Sequence, residues 1–325
     1  MNRISRWQRR WQVAVATALA ALTCTCAQAD APASCPPTAQ VPTAAQVQAG
    51  LQGARDRGFL WRISRDGRSS HVFGTVHVAQ ADWMYPGPRV AEAMRASDTF
   101  ALELDLLDPG VMKRLVEAMA AQPRTALPEP LQQRLQQWAE AECLPAPALA
   151  TLSPEMQVIT LASLSGRRAG LDPAFGIDMF LSGWAHAQRK SVVSLETPEL
   201  QLKALQMASP DETIEFIERA LDEMTPGTPS PTMLRLAQAW ADADLASLSA
   251  YADWCDCLKT ATDRALMARL LDDRNPALAD AIAALHASGS RVFAAVGSLH
   301  FIGPLGLTAL LEQRGYRVER VAYVR

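Results

Sequence analysis

Long basic runs are missing from this chain, and its formal net charge is only −3. Nucleic-acid binding needs clustered Lys and Arg against phosphate, so no nucleic-acid partner is expected. Long apolar runs are missing as well. The run nearest to one, Val13 to Thr23, is too short and too abruptly ended for a stable membrane span. Histidine is scarce, five residues in 325, and so is cysteine, with six; each can therefore be weighed singly. The remainder is 49% hydrophobic and 20% charged, an ordinary globular composition with ample material for a core.

The short apolar run has a function of its own. Arg3, Arg6, Arg9 and Arg10 form a basic stretch before it, and Ala27-Gln-Ala29 after it fits a small-residue cleavage pattern. Residues 1–29 are therefore expected to be a cleaved signal peptide, which sends the protein to the periplasm or outside the cell and removes Cys24 and Cys26. Four cysteines remain in an oxidising compartment, Cys35, Cys143, Cys255 and Cys257, and an even number there suggests two disulfides. Zinc is the rival reading, but Cys255-x-Cys257 lacks the two-to-four-residue gap of a structural site. A bond between Cys255 and Cys257 would close a very tight ring, so each is expected to reach Cys35 or Cys143. Residues 30–54, rich in Ala, Pro, Thr and Gln, read as a flexible lead-in.

From Phe59 the pattern becomes regular. Phe59 to Ser64 alternates, Asp66-Gly67 signals a hairpin turn, and His71 to Val76 returns as a strand. His71, early in that strand, reads as an ordinary surface or edge residue. Pro88 to Ala96 is a helix. In the next strand, alternation sets Phe100, Leu102 and Leu104 against Ala101, Glu103 and Asp105. A carboxylate such as Glu103, flanked by apolar residues, is costly to bury unless it is paired or bound to a cation. Residues 109–190 and 198–290 are largely helical, split by the β-rich Ser191-Val-Val-Ser-Leu-Glu196. His186 and His286 each stand in a last helical turn, where the dipole suits a cation.

Two segments share an unusual form. Ser70-His-Val-Phe-Gly74-Thr-Val-His77 and Arg291-Val-Phe-Ala-Ala-Val-Gly297-Ser-Leu-His300 are apolar strands closed by Gly-x-x-His. Gly at a strand end lets the backbone approach something closely, and the His beyond carries a ligand nitrogen or a base. Four predicted strands thus end in His77, Glu103, Glu196 and His300. In α/β sheets the functional crevice lies beyond the strands' carboxyl ends, so these groups are expected to converge as a divalent-metal or acid–base site.

These motifs, with Val193-Ser-Leu-Glu196-Thr197, Arg274-Asn275, Val296 to Gly306 and Gly315-Tyr316, resemble the TraB/GumN family, related to the Tiki proteases and more distantly to erythromycin esterases and ChaN-type proteins. The resemblance covers roughly residues 55–325. It implies an α/β (α+β) fold: one domain with a central mixed β-sheet, an N-terminal hairpin, flanking helices and a large helical insertion. It also implies a metal-dependent hydrolase or peptidase site in which His77, Glu103 and His300 hold a divalent ion such as Zn, Mn or Co. Glu196 is then expected as general base or orienting group, Arg274 as an oxyanion stabiliser and Asn275 as a loop anchor, acting on a small-molecule or peptide substrate. The alternative is a non-catalytic protein that binds haem or an envelope ligand, or that is associated with exported polysaccharide.

Overall fold

The computed structural model describes residues 35–323; the leader expected at residues 1–29 lies outside the described residues. Asp66 and Gly67 both have positive φ, 51° and 73°, as a two-residue turn between twisted strands requires. They join β1 (Phe59–Arg65) to β2 (Arg68–Thr75) in an antiparallel hairpin running from Phe59↔Gly74 to Arg65↔Arg68. Four more strands, β3 (Thr99–Leu102), β4 (Ser191–Ser194), β5 (Val292–Gly297) and β6 (Arg317–Arg320), complete a six-stranded sheet in the order β4-β3-β5-β2-β1-β6.

Within it, β4, β3, β5 and β2 are mutually parallel neighbours, while β1 runs antiparallel to both β2 and β6. The last-formed parallel strand, β5, is therefore wedged between two that precede it by about two hundred residues. Val292 to Val296 are all fully buried. That unbroken apolar run is the mark of a strand covered on both faces. Phe293 of β5 lies 5.1 Å from the Phe100 ring and 5.8 Å from the Phe73 ring, so aromatic packing links the three central strands.

The helices include α1 (Ala44–Gln52), α2 (Pro88–Ala96), α3 (Pro109–Ala120), α4 (Glu129–Ala141), α5 (Pro154–Ser165), α6 (Ile177–Ala187), α7 (Pro198–Leu205), α8 (Pro210–Glu223), α9 (Pro231–Ala241), α10 (Asn275–Ala287) and α11 (Leu307–Gln313), with further short helices, among them Ala261–Met267, and turns between. Proline stands in the first turn of α2 to α5 and α7 to α10, where its missing N–H removes no helical bond. The insertion is not uniform. Leu131, Leu135 and Trp138 of α4, Leu161 of α5 and Ile217 and Leu221 of α8 form their own apolar cluster, whereas α6 and α10 pack on the sheet through Leu181, Trp184, Leu278 and Ile282.

The structure departs from the sequence reading in four places. The lead-in contains a helix, α1, because Thr43 and Gln46 form a reciprocal capping box. His71 is not at an edge, since β2 lies between β5 and β1. Strand β3 ends at Leu102 and all four of its residues are buried, so Glu103 owes its position to following the strand, not to alternation. The cysteines pair Cys35–Cys143 and Cys255–Cys257, contrary to the exchange expected. Asp256 adopts φ 59° and turns the chain back, bringing the Cys255 and Cys257 Cα atoms to 5.1 Å, within disulfide reach.

The two bonds should differ in weight. Cys35–Cys143 spans 108 residues, and in the chain-entropy account a loop of that size stabilises by about 4–5 kcal/mol. Cys255–Cys257, separated by two residues, restricts the unfolded chain very little. Urea unfolding of the Cys35→Ser/Cys143→Ser variant should show a loss of about 4 kcal/mol, against about 1–2 kcal/mol for Cys255→Ser/Cys257→Ser; equal losses would refute this assignment.

Candidate functional site

The four parallel strands deliver their carboxyl ends side by side: Glu196 follows β4, Glu103 follows β3, His300 follows β5 and His77 follows β2. The glycines of the paired motifs make this approach possible. A Cβ on Gly74 would lie 2.8 Å from Ser298 Oγ, and Ser298 Oγ donates to the Thr75 carbonyl at 2.8 Å, so the two motifs are stitched to each other. A Cβ on Gly297 would lie 3.3 Å from Glu103 Oε1, 3.6 Å from the His300 ring and 3.9 Å from His77 Nε2. The bare glycine is thus the floor on which three of the predicted groups meet.

The carboxylates are held by one cation. Arg274 Nη2 donates to Glu103 Oε2 at 2.7 Å and also to Glu196 Oε2, while its Nε donates to Glu196 Oε1 at 2.9 Å. Gln201 of α7 bridges the same two carboxylates at 3.0 and 3.2 Å, and the Gly297 N–H donates to Glu103 Oε1 at 2.7 Å. All three charged side chains are at most 14% exposed. Arg274 stands two residues past a π-helical turn, Ala268–Asp272, and its Nη1 donates to the Leu270 carbonyl within that turn; such turns commonly occur at functional sites. With its donors taken up this way, Arg274 is built to clamp two carboxylates and does not present itself to an oxyanion.

Each imidazole is aimed by a partner at Nδ1. His77 Nδ1 meets Asp178 Oδ2 at 2.8 Å, and the Thr75 hydroxyl donates to the other oxygen of Asp178. His300 Nδ1 lies 2.6 Å from Asn275 Oδ1, and the Asn275 amide donates to the Leu305 carbonyl at 2.8 Å. That second bond orients the amide, so the His300 ring presents Nδ1–H and keeps its lone pair on Nε2. Asn275 thus joins the His300 ring to the backbone at Leu305. Asp178, Gln201 and Thr75 were not singled out from the sequence. Asp178 has a local signal, an acid in the first turn of α6 just after Gly176, but only the fold brings it to His77.

The surroundings separate the titrations. Burial pushes His300, 4% exposed, down to about 4, so its ring is neutral near pH 7. The Asp178 carboxylate moves His77 the other way, above its ordinary value; the ring is open to solvent, which screens that effect. Burial alone would raise Glu103, but the two imidazoles, Arg274 and the Gly297 N–H outweigh it and hold the carboxyl at about 2.

The other histidines serve the scaffold. His186 Nε2 is 2.7 Å from Asp105 Oδ2, so a buried carboxylate, beyond the helix dipole, holds it. His286 is buried against Ser70 Oγ at 2.9 Å. Among the described residues no group of three or more His, Cys, Asp or Glu side chains is already drawn together as a metal-ion donor set. In kind the donors do fit a cation. Both rings have Nδ1 occupied and Nε2 remaining, and Glu103 Oε1, with the Gly297 N–H as partner, retains a lone-pair direction around the glycine floor.

A mixed α/β sheet whose adjacent parallel strands end in paired Gly-x-x-His motifs around a Glu–Arg–Glu cluster defines the class. The profile of the TraB/PrgY/gumN family matches residues 59–320, and the chain belongs to that family. Searches of curated proteins and of solved structures returned no match.

Two stability measurements probe this cluster. Arg274→Gln leaves two carboxylates buried without their cation and should cost about 3–5 kcal/mol in urea unfolding. Glu103→Gln should cost less, because Glu196 still neutralises Arg274; a larger loss from Glu103→Gln would contradict the shared clamp. The second concerns pH. The unfolded chain protonates a histidine near pH 6.5, whereas folded His300 does so only at about 4. Between these values the unfolded state holds more protons, so metal-free protein should lose stability as pH falls from 6.5 to about 4. His300→Gln should flatten that slope in unfolding titrations at pH 7, 5.5 and 4.

Proposed function

We propose that this chain is a hydrolase of a peptide or ester bond, and that His77, Glu103 and His300 hold a divalent cation in its crevice. The observation that supports this reading most is the matched pair of imidazoles, each fixed at Nδ1, which meet Glu103 Oε1 around the Gly297 floor, His77 with its Nε2 and His300 with its ring edge. A Zn, Mn or Co ion bound there would supply a water of lowered pKa and polarise the scissile carbonyl. The chain's other residues prepare the donors. Asp178 and Asn275 fix the ring orientations, a carboxylate or amide behind each histidine being the usual support for a metal-ligating imidazole. Arg274 and Gln201 keep the Glu103 carboxylate ionised and pointing at the floor, and Glu196 holds Arg274 in place. His77, with its side chain 72% exposed, is the group through which substrate and solvent reach the cluster.

Export belongs to the same proposal. The basic and apolar leader and two disulfides suit an oxidising compartment, periplasmic or extracellular.

The test is metal content and turnover together. If one ion is shared, His77→Ala and His300→Ala should each remove as much bound metal as the double variant, because the ligands act as a unit. Hydrolysis of a peptide or ester library should disappear in parallel. Additive, partial metal losses would reject the shared ion, and retained turnover in His300→Ala would reject the catalytic reading.

A further inference from the structure

A groove of about 550 Å³ opens on the α9 side of the molecule, between α9, the 3₁₀ turn Ala81–Met84 and the segment around Leu171. Its wall is mostly apolar: Trp83, Leu171 and Ala237 are buried beneath it and Leu234, 36% exposed, stands at its lip. This size and composition are those of small-molecule sites, apolar with a few placed polar groups. None of the described residues lining it is acidic, and Arg235 is the charged one among them. Arg114, Arg167 and Arg274 are each paired with a carboxylate, but among the described residues no carboxylate lies within ion-pair distance of Arg235. Its guanidinium instead rests over the Trp254 ring at 4.4 Å, a contact that fixes the side chain without neutralising it.

The groove also connects to the histidine loop. Ala79, two residues past His77, exchanges backbone hydrogen bonds with Asp172, next to Leu171, and Gln80 lines the groove.

We infer that this groove binds a medium-chain aliphatic carboxylate, its chain along Trp83, Leu171 and Leu234 and its head group on Arg235. Apolar lining alone would take any greasy molecule; Arg235, the charged residue of the lining and one with no carboxylate partner, is what selects an anion. The inference does not depend on the hydrolase reading, and binding can be measured whether or not turnover is found.

The experiment is calorimetric titration of the full chain with decanoate below its micellar concentration, beside acetate, which has the head group alone, and decyltrimethylammonium, which has the chain with the opposite charge. Saturable one-to-one binding is expected for decanoate and not for the other two. Arg235→Gln should weaken it about tenfold through loss of the charge-assisted contact, and Leu234→Glu should abolish it by placing a carboxylate in the lip. Both positions are exposed, and melting curves of the two variants are the check that they fold. Equal binding of the anionic and cationic chains, unchanged affinity in both variants, or no saturable decanoate binding would each overturn the inference.

Discussion

Two carboxylates cannot share a buried site unless something answers their charge, and the whole crevice depends on Arg274 doing so for Glu103 and Glu196. The guanidinium is offered from the helical part of the chain, the carboxylates from the ends of β3 and β4, so one interaction fixes the insertion against the sheet. Were Arg274 absent, burial would favour protonation of one carboxyl, and a neutral acid would no longer order the Gly297 amide or face the imidazoles with negative charge. The clamp therefore keeps the cluster both ionised and in register. It also explains why Gln201 lies where it does: a neutral donor can satisfy lone pairs that a second cation would over-neutralise.

Hairpin and motif geometry could be read from residues whose constraints are local. Asp66-Gly67 states its turn through backbone conformation, the Val- and Phe-rich runs state their burial, and each Gly-x-x-His states a close approach followed by a polar ring. The convergence of Glu103, Glu196, His77 and His300 could be anticipated because one rule, function beyond the carboxyl ends of parallel strands, acts on all four. Asp178 and Gln201 escaped because nothing in their own neighbourhoods marks them; they matter through partners about a hundred residues away. The Cys255–Cys257 bond escaped for a different reason. Separation alone makes the ring look too tight, whereas the left-handed backbone at Asp256 sets the geometry. The helix at 44–52 was hidden by composition, although Thr43 and Gln46 carried its capping signature.

The structure divides its work between two packing regimes. Strand β3 and residues 292–296 of β5 are buried throughout, which suits groups that must be held to fractions of an ångström. Helix α7 carries Gln201 to the carboxylates and packs against α3, whereas the α4–α5–α8 cluster has an apolar core of its own. Variation there can reshape what enters without disturbing the histidines, since the strands that bear them take their packing from the sheet core.

The position of β5 has a consequence for how the chain reaches this state. Its two neighbours in the sheet, β2 and β3, are made about two hundred residues earlier and remain unpaired with each other. Until residues 292–297 emerge, both present open strand edges, and the sheet cannot close around its own centre. Such non-local pairing is slow, and exposed edges invite association with other chains in the meantime. Assembly of the histidine pair is therefore a late event in the life of each molecule: a partly synthesised chain holds one half of the site and none of its chemistry.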